Sequence, residues 1–211
     1  PSETGRDSPV RLGGSQGSWE DPIRDFCFGT PGIYGGMKRF PYEGGHRVPG
    51  IVRYPAKIHA GTTSDELVVA TDFLPTAAKL AHVNSPTDRN MDGIDALPAL
   101  QGGETEREKP YLWLFPTHED TYFLMPHMSM RYGNYTLLGW FPEKPKDSTL
   151  MEWMKSSVPA KFSLYNLSSD PSQQNDLVHA EPELVDKLKP MMMQHWIEIR
   201  DEGTNWEKIN K

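Results

Sequence analysis

The sequence predicts a loop-rich α+β protein in which a set of strands is covered by a helix. Two patterns predict it. Four stretches rich in aromatic and apolar residues (Tyr111–Phe115, Met128–Tyr132, Tyr135–Trp140 and Phe162–Leu167) read as strands, and Glu181–Ile199 repeats apolar residues at helical spacing. Composition agrees, since 36% hydrophobic residues with 8 Phe, 8 Tyr and 6 Trp can build a core, while 18 Gly and 19 Pro supply loops. At 211 residues the chain has room for one large or two small modules.

Taken in order, residues 1–35 mix Gly, Ser, Asp and Pro without period and read as a long irregular surface segment, in which the lone Cys27 is expected to be a small buried side chain. The opening at Pro1 carries no initiator Met or signal region, so an upstream segment is expected to be missing. A cation pair, Lys38-Arg39, lies between the glycine pairs 35–36 and 44–45, and Ile51–Pro55 follows as an expected short buried strand. Thr71–Ala81 is an expected helix with Asp72 as N-cap and Leu74, Ala77, Ala78 and Ala81 as its inward stripe. Residues 84–110 are polar and turn-rich and read as a solvated linker, the expected boundary of a subdomain. Beyond it, Tyr132-Gly133-Asn134-Tyr135 is the expected tight turn between two of the strands, and Leu184, Leu188, Met191, Met192 and Trp196 form the inward stripe of the last helix.

Charge narrows the function classes. A net charge of −7 argues against binding to duplex nucleic acid, which needs clustered cations. One cysteine allows no intrachain disulfide and no Cys-based zinc site, and no apolar run approaches the length of a membrane span. The triplets Asn134-Tyr135-Thr136 and Asn166-Leu167-Ser168 match the glycosylation sequon but carry no weight as signs of a secretory route.

Lys38, Tyr42, Glu43, Gly44, Gly45, Arg47 and Pro49 stand in the order and spacing of a signature of the formylglycine-dependent sulfatases, in the alkaline-phosphatase-like superfamily, and the chain resembles the C-terminal part of such an enzyme. Four further collinear stretches fit: Tyr54–Ile58 with Gly61–Asp65, Asp72–Thr76, Met91–Leu100, and Leu164–Pro171 with Asn175-Asp176-Leu177. The resemblance covers about residues 31–200. It implies an α/β (alkaline-phosphatase-like) fold represented here by a C-terminal fragment. Residues 1–105 would end the large α/β domain, and 106–211 would form a small α+β subdomain with an antiparallel sheet and a C-terminal helix. It also implies Ca2+ and a formylglycine nucleophile, both supplied from outside this chain. No Cys/Ser-x-Pro-x-Arg motif occurs, Cys27 being followed by Phe28, Gly29 and Thr30, and the upstream acidic metal ligands are absent. The chain alone is therefore expected to be inactive, with the N-terminal part of the same sulfatase as its partner. Periplasmic, secreted or lysosomal localisation is implied.

Sulfate ester cleavage spreads charge over nonbridging and leaving oxygens, so fixed cations are needed around the tetrahedral group. The resemblance assigns Lys38 to the sulfate as the catalytic residue, although Arg39 and Pro41 depart from the signature. From composition alone, Lys38 and Arg39 would sit on a solvated hairpin. Glu43 and Arg47 read as a structural ion pair, His46 as a gap filler, and Arg53 as a surface charge on a strand end. His118 and His127, on loops carried by the sheet, are the candidate substrate-binding residues, as hydrogen-bond partners of a sugar hydroxyl. No metal site is expected of this chain, since the neighbours His118, Glu119 and Asp120 cannot easily converge on one ion. The expected function is part of a sulfatase acting on a sulfated carbohydrate or an aryl sulfate. Its alternatives are a phosphonate or phosphodiester hydrolase of the same superfamily, or a catalytically silent carbohydrate-binding module.

Overall fold

A computed structural model describes residues 31–36, 38, 40–115 and 126–203. They fall into two compact units, one joining residues up to Arg47 with those from Pro110 onward, the other spanning Val48–Lys109. The glycine-flanked loop packs with the C-terminal sheet and so falls in the same compact unit as the residues from Pro110 onward.

In the first unit, β1 (Tyr111–Leu114), β2 (Met128–Tyr132), β3 (Tyr135–Trp140) and β4 (Lys161–Asn166) form an antiparallel sheet in sequence order. Gly133, at φ +55°, makes the tight turn between β2 and β3, a backbone state that costs glycine little. Because side chains alternate across a strand, the register sorts them onto two faces. Leu112, Met130, Leu137 and Leu164 align across the strands on one face. They pack against Val185, Leu188, Met192 and Trp196 of the long helix α5 (Pro182–Glu202). The aligned rows on the other face are Trp113, Ser129, Leu138, Ser163 and Tyr111, Arg131, Thr136, Tyr165.

The α5 stripe is the expected one with Val185 and His195 added as buried members, while Leu184 and Met191 pack at its margin. Pro190 lies inside this helix on its exposed side, where the missing N–H leaves a carbonyl open to water. Between β3 and β4 runs α4 (Leu150–Ser156), where the sequence reading places no element. Its start is written in a capping box: Thr149 Oγ1 accepts the Glu152 N–H at 3.2 Å and Glu152 Oε2 accepts the Thr149 N–H at 3.0 Å. The indole N–H groups of Trp153 and Trp196 donate to the carbonyls of Pro142 and Ser157, so both rings bury without an orphan donor.

The second unit corrects three expectations. Ile51–Pro55 forms no strand, and Ile51 is 95% exposed: Pro49 and Pro55 remove ladder donors and no strand of the unit lies alongside. The helix runs over Phe73–Leu80 as α2, after a short 3₁₀ turn Ala70–Asp72, and its buried residues are Thr76 and Ala78, with Leu74 and Ala81 exposed. Residues 84–110 are not a free linker. Ala96 and Ala99 are buried around α3 (Leu97–Leu100), anchored by polar groups of the upstream helix. Thr76 Oγ1 accepts the Ala96 N–H at 2.8 Å, and the buried Asp72 accepts N–H groups from Val69 and Ile94 at 3.0 and 2.9 Å. The Arg107 guanidinium closes on Asp72 as well. Polar anchors and small alanines hold this unit, which is why a hydrophobic reading of its sequence misplaces its core.

Candidate active-site loop

Lys38 lies on a loop whose two ends are tied together. Gly44 N–H donates to Gly35 C=O at 2.7 Å, and Gly35 N–H reaches Pro171 C=O at 3.3 Å. Close approach demands glycine here: a Cβ at Gly35 would lie 2.2 Å from the Ser172 carbonyl oxygen, and Gly36 adopts φ +77° against the Tyr42 side chain. Lys38 itself is exposed and makes no hydrogen bond or ion pair among the described residues. Arg39 lies outside the described residues.

Behind Lys38 the chain turns down onto the sheet face opposite α5. Tyr42 is buried with Leu138 and Tyr165, and Phe40 and Trp140 pack around them. Burial pushes both phenols up, that of Tyr165 to about 12 with help from Asp176, so both stay neutral.

Glu43 opens the single turn α1 (Glu43–His46) and is 2% exposed. Its Oε1 accepts from Arg131 Nη1 at 2.9 Å and lies 3.4 Å from Thr136 Oγ1, while Oε2 accepts from Arg47 Nη2 at 3.0 Å. The Glu43 backbone N–H donates to Gln173 Oε1 at 2.8 Å. Burial pushes the Glu43 carboxyl up, but His46, Arg131 and Arg47 outweigh it and hold the group at about 2. A buried carboxylate with two guanidiniums is compensated, whereas loss of one partner would strand a charge. The Arg47 guanidinium also lies over the Tyr34 ring at 4.2 Å. The expected Glu43–Arg47 ion pair is present, through Arg47 Nη2 and Nε at 3.0 and 3.2 Å, and Arg131 adds a long-range partner that the expectation lacks.

His46 stacks on Trp113 at 4.2 Å with Nε2 3.6 Å from Glu43 Oε1, filling a gap against β1. Arg53 is exposed but on no strand. His118 and Cys27 lie outside the described residues.

His127 is placed in the core, not on a pocket rim. It is 1% exposed, packed on Phe141 and Trp153 with ring centroids at 5.3 Å. The physical reason is that its backbone continues the ladder past β2, donating to Gly139 C=O and accepting from Phe115 N–H, both at 2.8 Å. Its Nδ1 accepts the Phe141 N–H at 3.2 Å, and burial pulls the imidazole down to about 4.

Sequence reasoning missed Arg131, Thr136 and Gln173. The signal for Arg131 is legible afterwards: it sits one residue after Met130 on a strand whose methionines face the helix, so alternation sends a charge to the opposite face, where it needs a carboxylate. Gln173 carries no such signal. It is buried in a turn with φ +55°, set by Asp170, whose Oδ2 accepts the Gln174 and Asn175 N–H groups at 2.8 and 2.7 Å.

No group of three or more His, Cys, Asp or Glu side chains that could hold a metal forms among the described residues. No residue of the chain stands in a formylglycine motif.

Residues 32–201 match the family described as N-sulphoglucosamine sulphohydrolase, C-terminal, so the chain belongs to that sulfatase family. It is 45% identical over 85 residues to human steryl-sulfatase, covering 40% of this chain and 15% of the relative. With an uncharacterized sulfatase of Schizosaccharomyces pombe it shares 31% identity over 168 residues, 76% of this chain and 26% of that protein. A solved structure from a study of glycosaminoglycan metabolism in Bacteroides thetaiotaomicron superposes with a TM-score of 0.58 at 25% identity, over 78% of this chain and 32% of that one. The mixed α/β fold is therefore that of the sulfatases, and the chain spans only 15–26% of the length of these two curated relatives.

Proposed function

We propose that this chain supplies the anion-contacting lysine and the C-terminal subdomain of a sulfuric ester hydrolase acting on a sulfated carbohydrate. The observation that carries it is Lys38, an exposed ammonium on a loop whose base is closed by the Gly44–Gly35 hydrogen bond and whose following turn is buried against the sheet. The held backbone fixes where the lysine starts from, and a cation positioned at the sulfate oxygens is most effective as charge develops in the transition state. The nucleophile and Ca2+ come from the N-terminal part of the same protein, the partner of this chain. The family's description and the glycosaminoglycan context of the bacterial relative support a sugar substrate. Similarity to steryl-sulfatase makes an aryl or steroid sulfate the comparison substrate. His118 is assigned to the sugar. His127 is read as a packing residue. Among the described residues no helix is long and apolar enough to cross a membrane, and a secreted, lysosomal or periplasmic setting goes with the proposed activity.

The test is Lys38→Ala in the complete enzyme, assayed on a sulfated monosaccharide and on an aryl sulfate. Loss of an anion-stabilising donor lowers kcat by about 10² or more. A loss below about threefold on both substrates would return Lys38 to the role of a solvated loop charge.

A further inference from the structure

We infer that Glu43 is a positioning residue for Lys38, holding the lysine loop on the sheet through Arg131 and Gln173; this rests on the reading of Lys38 as the sulfate contact. Lys38 is five residues upstream and has no hydrogen-bond partner of its own among the described residues, so where its ammonium can reach depends on how the loop base is held. Two contacts tie Glu43 to segments far apart in sequence, and a third, made by its neighbour, closes the base. Its carboxylate takes the Arg131 guanidinium of β2 at 2.9 Å, and its N–H is fixed by Gln173 Oε1 at 2.8 Å. The next residue, Gly44, closes the loop by donating to Gly35 C=O at 2.7 Å.

The arrangement concerns charge as well as shape. Glu43 is 2% exposed and faces Arg131, Arg47 and His46, with Thr136 beside it, so the carboxylate balances these cations at the base of the loop that carries Lys38. With the carboxylate gone, Arg131 and Arg47 lose their common anionic partner, and among the described residues Arg131 keeps only the Gly133 carbonyl and Arg47 only the Tyr34 ring. The lysine loop would then lose its registration with β2. A displacement of about 1 Å in a group that contacts the reacting centre is enough to cost up to about 10² in rate.

The experiment is a double-mutant cycle in the complete enzyme with Lys38→Ala, Glu43→Gln and the pair. Glutamine keeps the size of the side chain and removes the charge. The expected result is that Glu43→Gln lowers kcat by about ten- to a hundredfold with KM little changed, and adds less than about threefold in the Lys38→Ala background. A role confined to fold stability would give equal losses in both backgrounds, and that additivity would overturn the proposal. So would a normal kcat for Glu43→Gln when Lys38→Ala is impaired, which leaves the Lys38 reading intact. An unimpaired Lys38→Ala overturns the Lys38 reading and the proposal with it. Should Glu43→Gln fail to accumulate, Gln173→Ala removes the acceptor of the Glu43 N–H and enters the same cycle with the same expected non-additivity. Arg131→Lys, which keeps the charge, should retain more of kcat than Arg131→Met, and equal losses would count against the charge link.

Discussion

The buried His127 should make the protein acid-labile well above the range where its carboxylates protonate. In the folded state its imidazole is pulled from 6.5 to about 4 by burial against Phe141 and Trp153. The unfolded chain keeps the ordinary value, so as pH falls below 6.5 the unfolded state takes up a proton that the folded state refuses. The contribution is fully present above pH 6.5, declines between 6.5 and about 4, and changes no further below that. Working the linkage through gives a loss of about 2 kcal/mol by pH 5 and about 3 kcal/mol by pH 4. The assay is urea unfolding of the complete protein followed by tryptophan fluorescence at pH 7.5, 6.5, 5 and 4, beside His127→Gln, whose side-chain oxygen can still accept the Phe141 N–H. The wild type should lose about 2 kcal/mol more than the variant between pH 7.5 and 5. Identical pH dependence in the two proteins, or an NMR titration of the His127 ring centred near 6.5, would refute the reasoning. The Glu43 carboxyl, at about 2, loses its contribution in a separate and more acidic window, from about 4.5 downward.

The remaining predictions concern catalysis and local stability. Lys38→Ala is expected to cost about 10² in kcat, and Glu43→Gln to act only while Lys38 is present, as read from the kinetic cycle. His118→Ala should raise KM for a sulfated saccharide with kcat nearly unchanged and leave an aryl sulfate unaffected, the pattern of uniform binding lost; equal responses of the two substrates would remove His118 from the sugar site. Thr149→Ala breaks the capping box of α4 and should lower stability by about 1 kcal/mol in urea unfolding without changing kcat.

The strands, the turn at Gly133 and the long helix were legible in the sequence because each rests on local periodicity that a short window contains: alternation over 111–115, 128–132 and 135–140, and a 3.6 repeat from Leu184 to Trp196. The lysine signature was legible too, since its glycines and its Lys38–Pro49 spacing are properties of one contiguous segment. Tertiary structure alone decided what that segment rests on. The Glu43–Arg131 pair joins residues 88 positions apart and the Glu43–Gln173 contact joins residues 130 apart, distances at which neither hydrophobic period nor motif spacing carries information. The same holds for the second unit, whose core of alanines organised by Asp72 and Thr76 has almost no apolar signature, so its residues 84–110 look like solvent-exposed linker when read in sequence. His127 shows the limit from the other side: its flanking Pro126 suggests a loop, but ladder hydrogen bonds to Phe115 and Gly139 carry it into the core. Local sequence set the elements and the lysine. Long-range packing and the need to compensate buried charge set where the lysine loop is anchored.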